Sequence, residues 1–309
     1  MNYKKGKKNN LFHYTKWIPD KESSDIILAI HGYNDYSNSF DTAGRYLSYH
    51  NIETIAFDLK GFGENNNRGK WYKLQDHFDD IILNIQKIKN ENPNKKIYLL
   101  GESMGGAIVL SLANNYVDLP LDGLILVAPA IWNFSESNFW KGFLLKLFSS
   151  IFPNLKVSGK GIIKVRASDN IDMLKKLSKD KLFIHKPNLQ SLQGIINLMD
   201  RSYQDTKNYL KKPNYRTLIL IPIIDEIIPR KPLINLLKYD EIKNNLYDTV
   251  DIGVYENSFH MILRDLESEK IIDHVRVWIN DKSRIRNYHP YKDSLAKLIN
   301  NSFYHRLEK

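Results

Sequence analysis

Gly101-Glu102-Ser103-Met104-Gly105 carries the clearest chemical signal in the chain. A serine spaced G-x-S-x-G becomes a nucleophile when its hydroxyl stands at the tip of a sharp strand-to-helix turn. The flanks predict such a turn. Ile97-Tyr98-Leu99-Leu100 reads as a buried strand, and Gly106-Ala107-Ile108-Val109-Leu110 opens a helix-like run. Small residues at 101 and 105 let neighbouring segments come close. The helix start then aims unpaired N–H groups at developing negative charge.

A serine nucleophile needs a base and an acid to orient it, and in a strand-turn-helix site of this kind they follow the serine in the order acid, then His. His260 follows the strand-like Val250–Tyr255 and lies in a loop, whereas His274 falls in a helical run and His289 and His305 in a polar tail. His260 is therefore the predicted base. The strand-like Leu218–Ile221 runs into Pro222-Ile223-Ile224-Asp225-Glu226. An acid among isoleucines is costly unless paired, and a bond to His260 would pair Asp225; Glu226 is the adjacent alternative. An early strand, Ile26–Ile30, leads into His31-Gly32-Tyr33. The backbone N–H groups of Tyr33 and Met104 are the expected oxyanion donors, with His31 shaping the loop.

These residues must be held by a scaffold. Short apolar runs at 26–30, 52–57, 97–100, 124–127, 218–221 and 250–255 alternate with helix-period segments at 41–49, 74–90, 104–114, 232–244 and 266–280. Continuous apolar runs suit strands covered on both faces. The alternation predicts an α/β fold with a mostly parallel, doubly wound sheet. After Ala130 no buried-strand run appears until Arg216; helix-like stretches at 139–152, 171–177 and 188–210 fill the gap. The expected organisation is a basic N-terminal tail (1–10), a core (11–130 and 216–281), a helical cap or lid (131–215) and a basic C-terminal extension (282–309).

In order, the motifs are His31-Gly32, Asp58-Leu59-Lys60-Gly61-Phe62-Gly63, Gly101-Glu102-Ser103-Met104-Gly105-Gly106, Asp225-Glu226-Ile227-Ile228-Pro229 and His260-Met261-Ile262-Leu263-Arg264-Asp265. Together they resemble the α/β-hydrolase superfamily, and more narrowly its monoacylglycerol lipase and bacterial lysophospholipase branch. Asn67-Arg68-Gly69-Lys70-Trp71 and Ala128-Pro129-Ala130-Ile131-Trp132 look like the bacterial lysophospholipase-type members. The resemblance implies a helical cap inserted after the sixth strand, Ser103 as nucleophile, His260 as base, Asp225 as acid, and Tyr33 and Met104 as oxyanion donors. It departs from the family at Pro222, where a glycine is usual three residues before the acid.

The implied activity is serine hydrolysis of lipid carboxylic esters, lysophospholipase-like or monoacylglycerol lipase-like. The alternatives are a small-ester carboxylesterase, an amino- or iminopeptidase on the same fold, and a non-catalytic membrane-binding module. No cofactor and no metal are expected. Gly61-Phe62-Gly63 lacks the third glycine of a dinucleotide fingerprint, since position 66 is Asn.

Composition narrows the partners. The 309 residues carry a net charge of +10 and no cysteine, which removes disulfide, thiolate and Cys-ligated metal chemistry. Segment 131–215 holds 15 basic and 6 acidic residues, while the flanking core segments are acidic. No nucleic-acid motif accompanies the charge, so a lipid or small ester substrate and peripheral contact with an anionic membrane are expected, and nucleic acid is not. The basic N-terminus lacks the apolar stretch of a signal peptide, and a cytoplasmic location, at most peripheral at the inner membrane surface, is expected. Phe139, Trp140, Phe143, Leu144, Leu147, Phe148 and Ile151 recur at helical spacing. They fit either a helix packed on the core or an apolar lid facing an acyl chain or lipid surface.

Overall fold

The computed structural model describes residues 2–5, 12–158, 165–246 and 248–280. Eight strands form one sheet: β1 (Asn2–Lys5), β2 (Tyr14–Ile18), β3 (Asp25–Ile30), β4 (Glu53–Phe57), β5 (Lys96–Glu102), β6 (Gly123–Val127), β7 (Thr217–Pro222) and β8 (Val250–Tyr255), in spatial order β1-β2-β4-β3-β5-β6-β7-β8. From β4 to β8 all neighbours pair in parallel. Strand β2 runs against both its neighbours.

The six strands read from sequence are present to within one or two residues. Two were not foreseen. Tyr14–Ile18 is a half-buried strand whose side chains alternate between core and surface, so it shows no continuous apolar run. Asn2–Lys5, inside the segment read as a basic tail, pairs with β2 as the edge strand. Residues 282–309, expected as a basic extension, lie outside the described residues.

Helices cover both faces. Ile26, Leu28 and Ile30 of β3 point into one core with α2 (Leu74–Glu91), α3 (Met104–Asn115) and α7 (Leu189–Lys211). Ile27 and Ala29 point into the other with α1 (Asp41–Tyr49) and α10 (Ser268–Asn280). Every residue of β3, β6 and β7 is buried, which is why these strands read as unbroken apolar runs. Each fully buried Leu or Ile contributes about 1.5–3 kcal/mol, so the centre of the sheet is a rigid platform.

Between β6 and β7 lie α4 (Phe134–Ser137), α5 (Phe139–Ile151), α6 (Ile171–Leu177) and α7, so the helical insertion does follow the sixth strand. The run at 232–244 is two helices, α8 (Lys231–Leu237) and α9 (Asp240–Lys243). The break comes at Tyr239, whose ψ of 131° is extended rather than helical. Among the described residues no helix is long and apolar enough to cross a membrane.

Candidate active site

The parallel strands end at one edge of the sheet, and the turns leaving them bring the singled-out residues together. At the end of β5, Ser103 has φ +53° and ψ −114° and caps α3. A positive φ in a non-glycine residue is strained, and it persists only where the surroundings fix it. Here Ser103 N–H donates to the Val127 carbonyl at 2.9 Å, and its own carbonyl accepts from Ala107 at 3.1 Å and Ala130 at 3.0 Å. A Cβ on Gly101 would stand 2.4 Å from the Gly105 carbonyl oxygen, and one on Gly105 would stand 2.1 Å from that of Ile30. Only glycine fits at either position.

From β8 the chain turns through Glu256–Phe259 to His260. Its Nε2 lies 2.9 Å from Ser103 Oγ and its Nδ1 lies 2.7 Å from Asp225 Oδ2. Asp225 follows β7, and its other oxygen accepts the backbone N–H groups of Ile227 at 2.8 Å and Ile228 at 2.9 Å. Both charged side chains are more than nine-tenths buried. Burial disfavours the imidazolium, but the neighbouring Asp225 carboxylate outweighs it and holds the His260 pKa above its ordinary value.

Glu226 is turned elsewhere: it accepts the Arg166 backbone N–H at 2.7 Å and faces the Arg166 guanidinium. Pro222 is the last residue of β7, and the chain continues with Ile223 and Ile224 donating to the Tyr255 and Ser258 carbonyls. The missing proline N–H therefore leaves the path to Asp225 intact.

Met104 is the first residue of α3, where backbone N–H groups have no intrahelical acceptor. Gly32 abuts the serine; a Cβ there would lie 3.4 Å from Ser103 Cβ. Tyr33 is the next residue, and its hydroxyl is held 2.9 Å from Ser191 Oγ of α7. His31 is fully buried, with Nε2 accepting the Leu59 N–H at 3.0 Å and Nδ1 facing the Gly32 carbonyl at 2.8 Å. An acceptor Nε2 makes Nδ1 the protonated nitrogen, so the ring is neutral, and burial lowers its pKa accordingly. Both nitrogens are committed to backbone and neither serves Ser103. His274 sits buried in α10 beside the Tyr255 hydroxyl. His289 and His305 lie outside the described residues.

Beneath these residues lies a charged layer to which the sequence reading assigned no role. Arg264, four residues after His260, donates to Asp35 Oδ2 at 2.7 Å and to Glu102 Oε2 at 3.3 Å. All three are buried. Asp265 accepts the Phe259 N–H at 2.7 Å and the Ser168 hydroxyl at 2.6 Å, tying the loop that carries His260 to the helical insertion. Glu102 stands in the Gly101–Gly105 motif and Arg264 and Asp265 in the run that begins at His260, so a signal existed for these; Asp35 carried none.

The apolar stripe of α5 faces outward. Trp140 is 71% exposed and Phe139 65%, while Gly142 and Ser149 are the buried positions of the helix. The alternative of a helix packed on the core by this stripe does not hold.

The family model described as serine aminopeptidase, S33, matches residues 21–267. Phospholipase YtpA of Bacillus subtilis is 22% identical over 85% of this chain and 97% of its own length. Human monoglyceride lipase is 21% identical over 86% of each chain. The solved structure of a soluble variant of Saccharomyces cerevisiae monoglyceride lipase, in complex with a substrate analog, superimposes with a TM-score of 0.71 at 17% identity, covering 91% of this chain and 94% of that one.

Proposed function

We propose, from the premise that this chain belongs to the serine aminopeptidase S33 family of α/β-hydrolases, that it hydrolyses carboxylic esters of lipids, lysophospholipids or monoacylglycerols, with Ser103, His260 and Asp225 as its catalytic residues. The observation that carries this reading is the continuous hydrogen-bonded path from Ser103 Oγ through His260 to Asp225, at a strained turn.

His260 Nε2 takes the Ser103 proton as Oγ attacks the ester carbonyl. The tetrahedral oxyanion is held by the backbone N–H groups of Tyr33 and Met104. Asp225 stays ionised, fixes the Nδ1–H tautomer and stabilises the imidazolium. His260 then protonates the departing alcohol, and water hydrolyses the acyl-enzyme by the same steps in reverse roles.

Peptidase action on a free amino terminus would want an unengaged carboxylate in the helical insertion. Its acids are all occupied. Glu136 holds Asn133, Asp169 the Leu266 N–H, Asp172 Lys175, Asp180 Tyr36, Asp200 Ser135 and Asp205 Arg201. The exposed aromatic face of α5, with its basic surroundings, suits an acyl chain at an anionic bilayer surface approached peripherally from the cytoplasm.

The test is Ser103→Ala. It should abolish p-nitrophenyl ester hydrolysis and fluorophosphonate labelling while the thermal unfolding transition persists. A folded variant that keeps most of its turnover refutes the assignment.

A further inference from the structure

A cavity of about 650 Å³ lies between the loop 67–70 and the segment 181–190. Arg68, Lys70, Lys156, Lys181 and Lys186 line it, and no carboxylate does. Among the described residues none of these five side chains pairs with an acid. Arg68 also donates to the Gly63 carbonyl at 3.1 Å and Lys70 lies over the Tyr72 ring, both neutral partners that leave the charge unopposed. Surface cations are ordinarily interspersed with acids, so five lining one hollow without a counter-charge is a feature built by the fold.

Tertiary contacts do the building. Asn188 Nδ2 donates to the Gly69 carbonyl at 3.0 Å, Val157 N–H to that of Pro187 at 2.9 Å, and Lys156 bridges to Asn188. The Lys156–Asn188 link is a backbone bridge that leaves the lysine side chain uncommitted to Asn188, and three separate stretches of chain are thereby drawn around one space. Asn188 also caps the 23-residue α7, whose positive dipole end adds to the cations.

We propose that this cavity binds a phosphoryl group. A tetrahedral dianion suits several converging ammonium and guanidinium donors, and the volume leaves room for a glycerol unit against Phe183 and Ile184. One wall of the cavity is tied to the loop that carries Tyr33: Ile184 N–H donates to the Asn34 carbonyl at 2.9 Å. The inference rests on the lipid-ester reading only for its source, the headgroup phosphate of a lysophospholipid; the anion site stands without it.

The test measures binding of inorganic phosphate and of glycerol 3-phosphate by calorimetry at constant ionic strength, with chloride and glycerol as controls, for the wild type and for Lys156→Gln/Lys186→Gln. In parallel, kcat/KM is compared on a lysophosphatidic acid and a monoacylglycerol of the same acyl chain. Both phosphates should bind, chloride and glycerol should not, and the double variant should bind about tenfold more weakly. Wild type should prefer the phosphorylated lipid, and the variant should lose that preference. Phosphate binding that the variant loses, without any lipid preference, supports the site with free phosphate as its occupant. Phosphate binding without hydrolysis of either lipid upholds the cavity and rejects the ester reading. Absence of phosphate binding, or binding undiminished in the variant, overturns the proposal.

Discussion

Arg264 offers the sharpest test of how the site is held. Its guanidinium joins Asp35 and Glu102, each only 2% exposed, and is itself 8% exposed. Arg264→Met keeps much of the volume and removes the charge, leaving two buried carboxylates close together. Breaking a buried pair in this way costs about 3–5 kcal/mol. In a chain of this size 1 kcal/mol moves the melting temperature by about 2 °C, so a fall of about 6–10 °C is expected. The loss should depend on pH. Burial already raises the Glu102 pKa, and Arg264 is the main influence pulling it down. Without Arg264 the folded-state value climbs further above the unfolded one. The folded state then binds the extra proton, so stability declines as pH rises through that window. Unfolding followed by circular dichroism at about pH 5 and about pH 8 should show the larger deficit at the higher pH. Glu102→Gln in the Arg264→Met background should recover part of it. Equal losses at the two pH values, with no recovery in the double variant, would show that the three side chains are not an electrostatic unit.

Further outcomes follow from the same geometry. His260 must be neutral to accept the serine proton, and its raised pKa puts the acid limb of the kcat/KM profile above about 6.5, the ordinary imidazole value. Asp225→Asn removes the raising charge, so the limb should move to lower pH and kcat should drop by about 10⁴. An unchanged limb would exclude the Asp225–His260 coupling. Ser168→Ala removes a fully buried donor from Asp265 and should cost about 1–3 kcal/mol in chemical denaturation. Because Asp265 also holds the Phe259 N–H, kcat should fall more than KM rises. Trp140→Ala/Phe143→Ala alters side chains that are 71% and 51% exposed, so stability should shift by less than about 1 kcal/mol. Sedimentation with anionic vesicles should nonetheless decline; undiminished sedimentation would remove α5 from the proposed membrane contact.

How much of this was legible beforehand depended on whether the determinant was local. The turn at Ser103 is written in five consecutive residues because backbone crowding at 101 and 105 excludes any side chain. His260 and Asp225 were legible from chain order, each coming just after an apolar strand. Strand β2 was not, because a strand with alternating burial and two charged or polar positions in five resembles a loop. The Arg264 cluster joins positions 229 and 162 residues apart, a separation no local pattern encodes. The basic cavity gives the clearest example. Segment charge picked out 131–215 as cationic, and Lys156, Lys181 and Lys186 belong to it. Arg68 and Lys70 sit in a stretch whose sum is acidic, since 11–130 holds 11 basic and 15 acidic residues. A segment sum counts charges along the chain. A binding field depends on charges in space, and the Asn188–Gly69 bond that brings the two sets together forms only in the folded molecule. Net charge therefore located one wall of the cavity and concealed the other.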